Sequence, residues 1–219
     1  DINVYSEART AVSKRTGLPK KPKMVGCSTL MKRMKEAGLD SIPGGGAEIL
    51  DESFRSRHSP GKFSVKQYMS AQKAILEAGI NSTATMVIGF DETLDERLNH
   101  LELLRDFQET TQHKMPSFLC WTYKPMNNHF NGQELVLTEY LRWLAICRIY
   151  LVNFKHIRTS ILTKNEGALD ALAYGADDFD LPLEDEVTEK AGATISSDFD
   201  YILLQCKQKG YEPILRNSF

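Results

Sequence analysis

The sequence predicts an α/β fold, a partial parallel (β/α) barrel with C-terminal helices. Three observations predict it. Short runs rich in β-branched or aromatic residues alternate with amphipathic stretches of helical period. Glycines and capping residues mark most of the joints between them. The unusual polar and glycine residues fall just after the strand-like runs, and in a parallel barrel those ends share one face, where sites are built.

Residues 1–27 form an irregular, basic, solvated segment broken by Lys20-Lys21-Pro22-Lys23; residues 28–219 read as one domain. Ser28 is a good N-cap, and Leu30, Met31, Met34 and Ala37 follow at helical spacing up to Gly38. Leu39 to Ile42 reads as a short strand, and Pro43-Gly44-Gly45-Gly46 as a turn. Ser64 opens a second helix, with Tyr68, Ala71, Ile75 and Leu76 on one face, ending at Gly79. Thr83 to Ile88 is a β-branched strand closed by Gly89. Leu94, Leu98, Leu101, Leu104 and Phe107 give a third helix over 93–110 its apolar stripe. Phe118 to Trp121 is the next strand, with a loop after it. The longest helix covers about 138–153, Ile157 to Leu162 is a strand, and Ala168 to Tyr174 is a short helix. Ala176 to Asp178 ends a last strand, and helices follow near 183–191 and 198–209.

Composition narrows the function. The chain has 219 residues with 42% hydrophobic, enough for one core, while a whole barrel needs about 250. A net charge of −2 suggests neither nucleic acid nor an anionic membrane as partner. No apolar run approaches the roughly 18 residues of a membrane span. Asp1-Ile2-Asn3-Val4 has no basic region leading into an apolar one, so no secretory signal is expected. A start without Met points to a trimmed chain. Cys27, Cys120, Cys147 and Cys206 are isolated and read as reduced cytoplasmic thiols packed as small hydrophobes. The five histidines show no ligand spacing.

Four segments could carry chemistry. Gly44-Gly45-Gly46-Ala47-Glu48 follows a strand; its glycines leave backbone N–H groups open to a ligand, and Glu48 can accept from a ribose diol or an amine. It reads equally as an ordinary loop with Glu48 in a first helical turn. At Ile88-Gly89 a backbone edge can meet an adenine-like ring, while Thr93 and Glu96 form a capping box. Trp121 to Asn127 offers stacking and amide hydrogen bonds, or simply packing. Arg158 can pair a substrate carboxylate, and Asp177-Asp178 can fix hydroxyls or a metal; an inter-strand ion pair is the alternative. Arg55 and Arg57, before His58, either attract an anion or solvate a loop.

The run Lys35 to Leu50, with Gly44-Gly45-Gly46-Ala47-Glu48 at its centre, resembles a signature of the dehypoxanthine futalosine cyclase family. These are radical S-adenosylmethionine (SAM) enzymes of the futalosine route to menaquinone. The likeness continues through Thr83 to Met86, Gly89, Glu92-Thr93, Arg97 and His100-Leu101. It continues again through Trp121 to Asn127, Tyr140-Leu141-Arg142, Gly175 to Asp178, and Gly210-Tyr211, Pro213 and Arg216-Asn217. It covers about residues 28–218. Aminofutalosine synthase and deazaflavin (FO) synthase share parts of it, but the Gly44 to Glu48 run and the run from Trp121-Thr122 favour the cyclase.

The resemblance implies a TIM-type barrel of the radical SAM superfamily and a reaction begun by a 5′-deoxyadenosyl radical. SAM would lie against Gly44, Gly45, Gly46 and Glu48, and its adenine against Ile88 and Gly89. Trp121, Asn127, Arg158 and Asp177 would face a nucleoside substrate. A [4Fe-4S] cluster and an electron donor such as flavodoxin or ferredoxin are expected with it. The sequence departs from the family in having no C-x3-C-x2-C, so this chain by itself is not expected to generate the radical. Two other classes stay open: a cluster-less barrel that binds a nucleoside without redox chemistry, and a barrel enzyme using Lys124 or Lys164.

Overall fold

A computed structural model describes residues 24–112, 114–126, 132–181, 189–190 and 198–216. Its centre is a four-stranded parallel sheet, β3 (Ala84–Ile88), β4 (Ser117–Thr122), β5 (His156–Ser160) and β6 (Asp178–Asp180), whose spatial order is the order in sequence. A two-stranded parallel pair, β1 (Ser41–Ile42) with β2 (Asn81–Ser82), precedes it. Past β1 the chain keeps alongside β3, because Val87 donates its N–H to the Glu48 carbonyl at 3.0 Å. Sequential parallel order with a helix in most crossovers is barrel winding.

The helices are α1 (Met24–Glu36), α2 (Glu52–His58), α3 (Val65–Glu77), α4 (Leu94–Thr110), α5 (Leu137–Tyr150), α6 (Ile161–Lys164) and α7 (Phe199–Gln208). A 3-10 helix covers Asn165–Tyr174. Capping boxes start α3 (Ser64 with Gln67) and α4 (Thr93 with Glu96), the second as its spacing predicts. Three expectations shift. Helix α1 begins at Met24, so Ser28 lies inside it rather than capping it. Helix α2 occupies what reads as a loop; Asp51 caps it by accepting from the N–H groups of Ser53 and Phe54. The last strand begins at Asp178, so Asp177 stands at its entrance. The helix expected near 183–191 lies largely outside the described residues.

Strand alternation divides the sheet into two faces. Met86, Ile88, Phe118, Cys120 and Ile157 join the main core with Leu101, Leu104, Tyr140 and Leu144 of α4 and α5. Fully buried Tyr140 ties two strands together, its hydroxyl donating to the Cys120 carbonyl at 3.2 Å and lying 3.0 Å from Thr159 Oγ1. Thr85, Val87, Leu119, Trp121, Arg158 and Ser160 therefore occupy the opposite, inner face. A second cluster of Leu30, Met31, Ile42, Ala74, Ile75 and Ile80 seats α1 and α3 beside β1.

Candidate functional site

The first three candidate segments converge on one end of the sheet. Residues 44–48 follow β1, residues 89–92 follow β3, and Tyr123 follows β4. They are stitched together by the Val87-to-Glu48 bond and by the Tyr123 N–H donating to the Ile88 carbonyl at 2.7 Å. This is the C-terminal end of the strands.

Gly44 is a packing glycine. A Cβ there would lie 1.9 Å from the Thr83 carbonyl oxygen. Its own carbonyl accepts from the Tyr68 hydroxyl at 2.7 Å, and its N–H donates to Thr83 Oγ1 at 3.2 Å. Gly46 serves conformation instead, with φ +82. Arg55 explains how the glycine-rich loop holds its shape. Its side chain is only 5% exposed and donates to the carbonyls of Ala47 (2.9 Å), Gly46 (3.3 Å) and Phe63 (2.9 and 2.6 Å). Arg57 is bonded to both oxygens of Glu96, at 2.8 and 3.0 Å, and His58 to Asp91. These bonds hold the Glu96 and Asp91 carboxyls below their ordinary range. The basic run is a bracket for the loop and the start of α4.

Glu48 sits at φ +41, a conformation that non-glycine residues seldom adopt and that costs energy to hold. Its Oε1 accepts from Lys62 at 2.9 Å. Its Oε2 is buried with no hydrogen-bond partner among the described residues, with Arg55 4.0 Å away. A strained residue with an orphaned carboxylate oxygen is suited to receive a ligand donor.

Ile88 is fully buried, and Gly89, at φ +111, has both backbone groups engaged. The Gly89 N–H donates to Glu92 Oε1 at 2.9 Å and its carbonyl accepts from the Gln133 N–H at 2.7 Å. Glu92 also accepts from Arg97 Nε at 2.8 Å. In the sequence Glu92 reads only as part of the Glu92-Thr93 run before α4; the signal for its role is a carboxylate one residue before an N-cap, able to fold back on the glycine.

Trp121 lies on the inner face, partly buried, and Tyr123 packs at a tilt against Phe90 with ring centroids 4.7 Å apart. Asn127 lies outside the described residues. Arg158 shares the inner face, within 3.4 Å of Asp178 Oδ2 and 3.6 Å of Asp180 Oδ1. Asp177 is held at the other end of the sheet. It accepts from Arg148 of α5 at 2.7 Å and from the Ile157 N–H at 2.9 Å, and pairs with His156 at 3.0 Å. The acidic residues beside Arg158 are thus Asp178 and Asp180, with Arg216 reaching Asp178 at 2.6 Å.

Residues 115–219 match the family model described as the CofH/MqnC C-terminal region. Cyclic dehypoxanthine futalosine synthase of Halalkalibacterium halodurans is 37% identical over 192 residues, 86% of this chain and 52% of the relative. The enzyme of the same name from Streptomyces coelicolor is 40% identical over 190 residues, 85% of this chain and 47% of the relative. From Met115 onward the chain is of the CofH/MqnC family. It spans about half the length of these relatives. The crystal structure of methylornithine synthase (PylB) superposes with a TM-score of 0.64 at 14% identity, covering 98% of this chain and 64% of that one. At that identity the likeness speaks for the fold, an α/β architecture built as part of a barrel. The stretch that matches the CofH/MqnC model begins at Met115, just before β4, and so takes in Trp121, Arg158, Asp178, Asp180 and Arg216.

Proposed function

We propose that this chain supplies the C-terminal part of a radical SAM barrel that converts dehypoxanthine futalosine to its cyclic form in menaquinone biosynthesis. The observation that carries the reading is the meeting of the segments around Glu48, Gly89 and Tyr123 at one strand end, in a chain whose relatives bear that enzyme's name. SAM bound there supplies the adenosyl group from which the hydrogen-abstracting radical forms.

This chain's own residues have definable tasks. Glu48, through its unpartnered oxygen, accepts from an amine or hydroxyl of SAM, and Gly45 and Gly46 let the backbone come close. Gly89, pinned by Glu92 and Gln133, fixes the shape of the loop that would hold the adenine, with Ile88 packed behind it in the core. Trp121 and Arg158 face the nucleoside from the inner side. The chain's described residues do not fit a [4Fe-4S] cluster. They contain no group of three His, Cys, Asp or Glu side chains able to hold a metal. Cys120, Cys147 and Cys206 are buried, and burial pushes their thiols up. On this reading the enzyme works in the cytoplasm with a small nucleoside and a flavodoxin or ferredoxin as electron donor, and needs no nucleic acid or membrane. No described helix is long and apolar enough to cross a membrane.

The test is a chimera that joins the N-terminal part of the Halalkalibacterium relative to this chain. Under anaerobic reduction it should form the cyclic product, read by mass spectrometry. In the same protein Glu48→Gln should weaken SAM binding at least about ten-fold. A folded chimera that binds SAM but yields no cyclic product overturns the proposed reaction. Unchanged SAM binding removes Glu48 from the site.

A further inference from the structure

Arg158, Asp178 and Asp180 put three charged side chains on the inner face of β5 and β6, and Arg216 joins them from outside the sheet. Arg158 pairs loosely with Asp178 at 3.4 Å and with Asp180 at 3.6 Å. Arg216, arriving from the tail beyond α7, meets Asp178 at 2.6 Å. Ser160 donates its hydroxyl to Asp180 Oδ2 at 2.9 Å. Residues 158 and 160 are the registered partners of 178 and 180, so alternation places all four on one face.

Two features define what this wall can take. Two arginines face two aspartates, so the group is balanced and leaves no surplus charge for an added anion or cation. Within it, Arg158 Nε and Asp180 Oδ1, beside an Asp178 Oδ2 in the same state, are buried with no hydrogen-bond partner among the described residues. One is a donor and the other an acceptor, and each is costly to leave unpaired. A hydroxyl satisfies both at once, accepting from the guanidinium and donating to the carboxylate. A carboxylate ligand could answer only the arginine and would repel both aspartates.

We propose that Arg158, Ser160, Asp178 and Asp180 form a subsite for a neutral, hydroxyl-bearing group such as a ribose diol, with Arg216 as the positioning residue that holds Asp178. The inference rests on the reading that a nucleoside lies along the inner face, and it changes the role expected for Arg158 from a carboxylate clamp to a hydroxyl donor. Leu119 is the sheet partner of Arg158, and Trp121 follows two residues on. The base of such a ligand would therefore lie toward the aromatic end and the sugar toward the charged wall.

The experiment titrates adenosine and 2′,3′-dideoxyadenosine into the full chain by calorimetry. The wild-type chain should prefer adenosine by about ten- to hundred-fold. Asp180→Asn should erase that preference while leaving dideoxyadenosine affinity within about two-fold. Arg216→Met should reduce the preference and Arg216→Lys restore part of it, a rescue that loss of folding would not give. If Asp180→Asn fails to fold, judged by its circular-dichroism melt, Arg158→Lys replaces it with the same expected loss of preference. Equal affinity for the two nucleosides, no binding of adenosine, or a preference that survives both wall variants overturns the subsite. Acetate competition that vanishes in Arg158→Met would assign the wall to an anion and overturn it too. The hydroxyl preference is read without turnover, so it can stand or fall independently of the cyclisation assay.

Discussion

Two glycines two residues apart answer to different constraints. Gly44→Ala would drive a methyl group into the Thr83 carbonyl and should cost about 3 kcal/mol or more. Gly46→Ala has open space but the wrong sign of φ, and should cost only about 1–2 kcal/mol. Urea unfolding of both variants checks the difference. His100 supplies the pH dependence. It is fully buried, and its Nδ1 accepts from the Leu50 N–H at 2.9 Å. Burial first, and then the charge of Arg55, push its pKa down to about 3. The unfolded imidazole gains a proton below its ordinary 6.5 while the folded one stays neutral. Stability is therefore whole above pH 6.5 and falls toward pH 3, by up to about 1.4 kcal/mol per pH unit. His100→Gln should lose about 1–3 kcal/mol at pH 7 yet decline more gently from pH 6.5 to 4; an equally steep decline would clear His100 of the effect. Residue choice was the hardest thing to read from the sequence. Asp177 and Asp178 are neighbours with one chemistry, and a single step in register sends one to Arg148 and the other to Arg158.

At the scale of elements, start signals were the most legible feature. The cap-and-glutamate spacing of Thr93 and Glu96 located α4, and the hydrogen bonds are those a capping box requires. Thr93→Ala should therefore cost about 1 kcal/mol, measured as a lower urea midpoint with an unchanged slope. Helix α2 was missed because seven residues show barely two turns of periodicity, and its anchor is one buried aromatic, Phe54, beside a buried arginine. Ser28 misled for the converse reason: a good capping residue says nothing about whether the chain before it is already helical. The glycine-rich loop was legible as a loop. The side chain that shapes it, Arg55, was not, because its partners are carbonyls and carbonyls leave no mark in a sequence.

For the whole molecule, alternation of strand and helix was enough to foresee a parallel barrel segment, since each crossover returns the chain beside the strand it left. What could not be foreseen is how unevenly the sheet is buried. Strand β4 is paired on both sides and has buried residues along nearly all its length, whereas the three residues of β6 are only partly buried. Amide hydrogen exchange should accordingly find β4 and the β4-facing side of β5 slowest and β6 fastest among the four strands. Equal protection across the sheet would contradict this. The strand order carries a mechanical consequence. Because neighbours in space are neighbours along the chain, a pull on the two ends loads the outermost pairings before the central ones. The sheet then yields lane by lane, like pages lifted from a stack, instead of giving way in a single rupture.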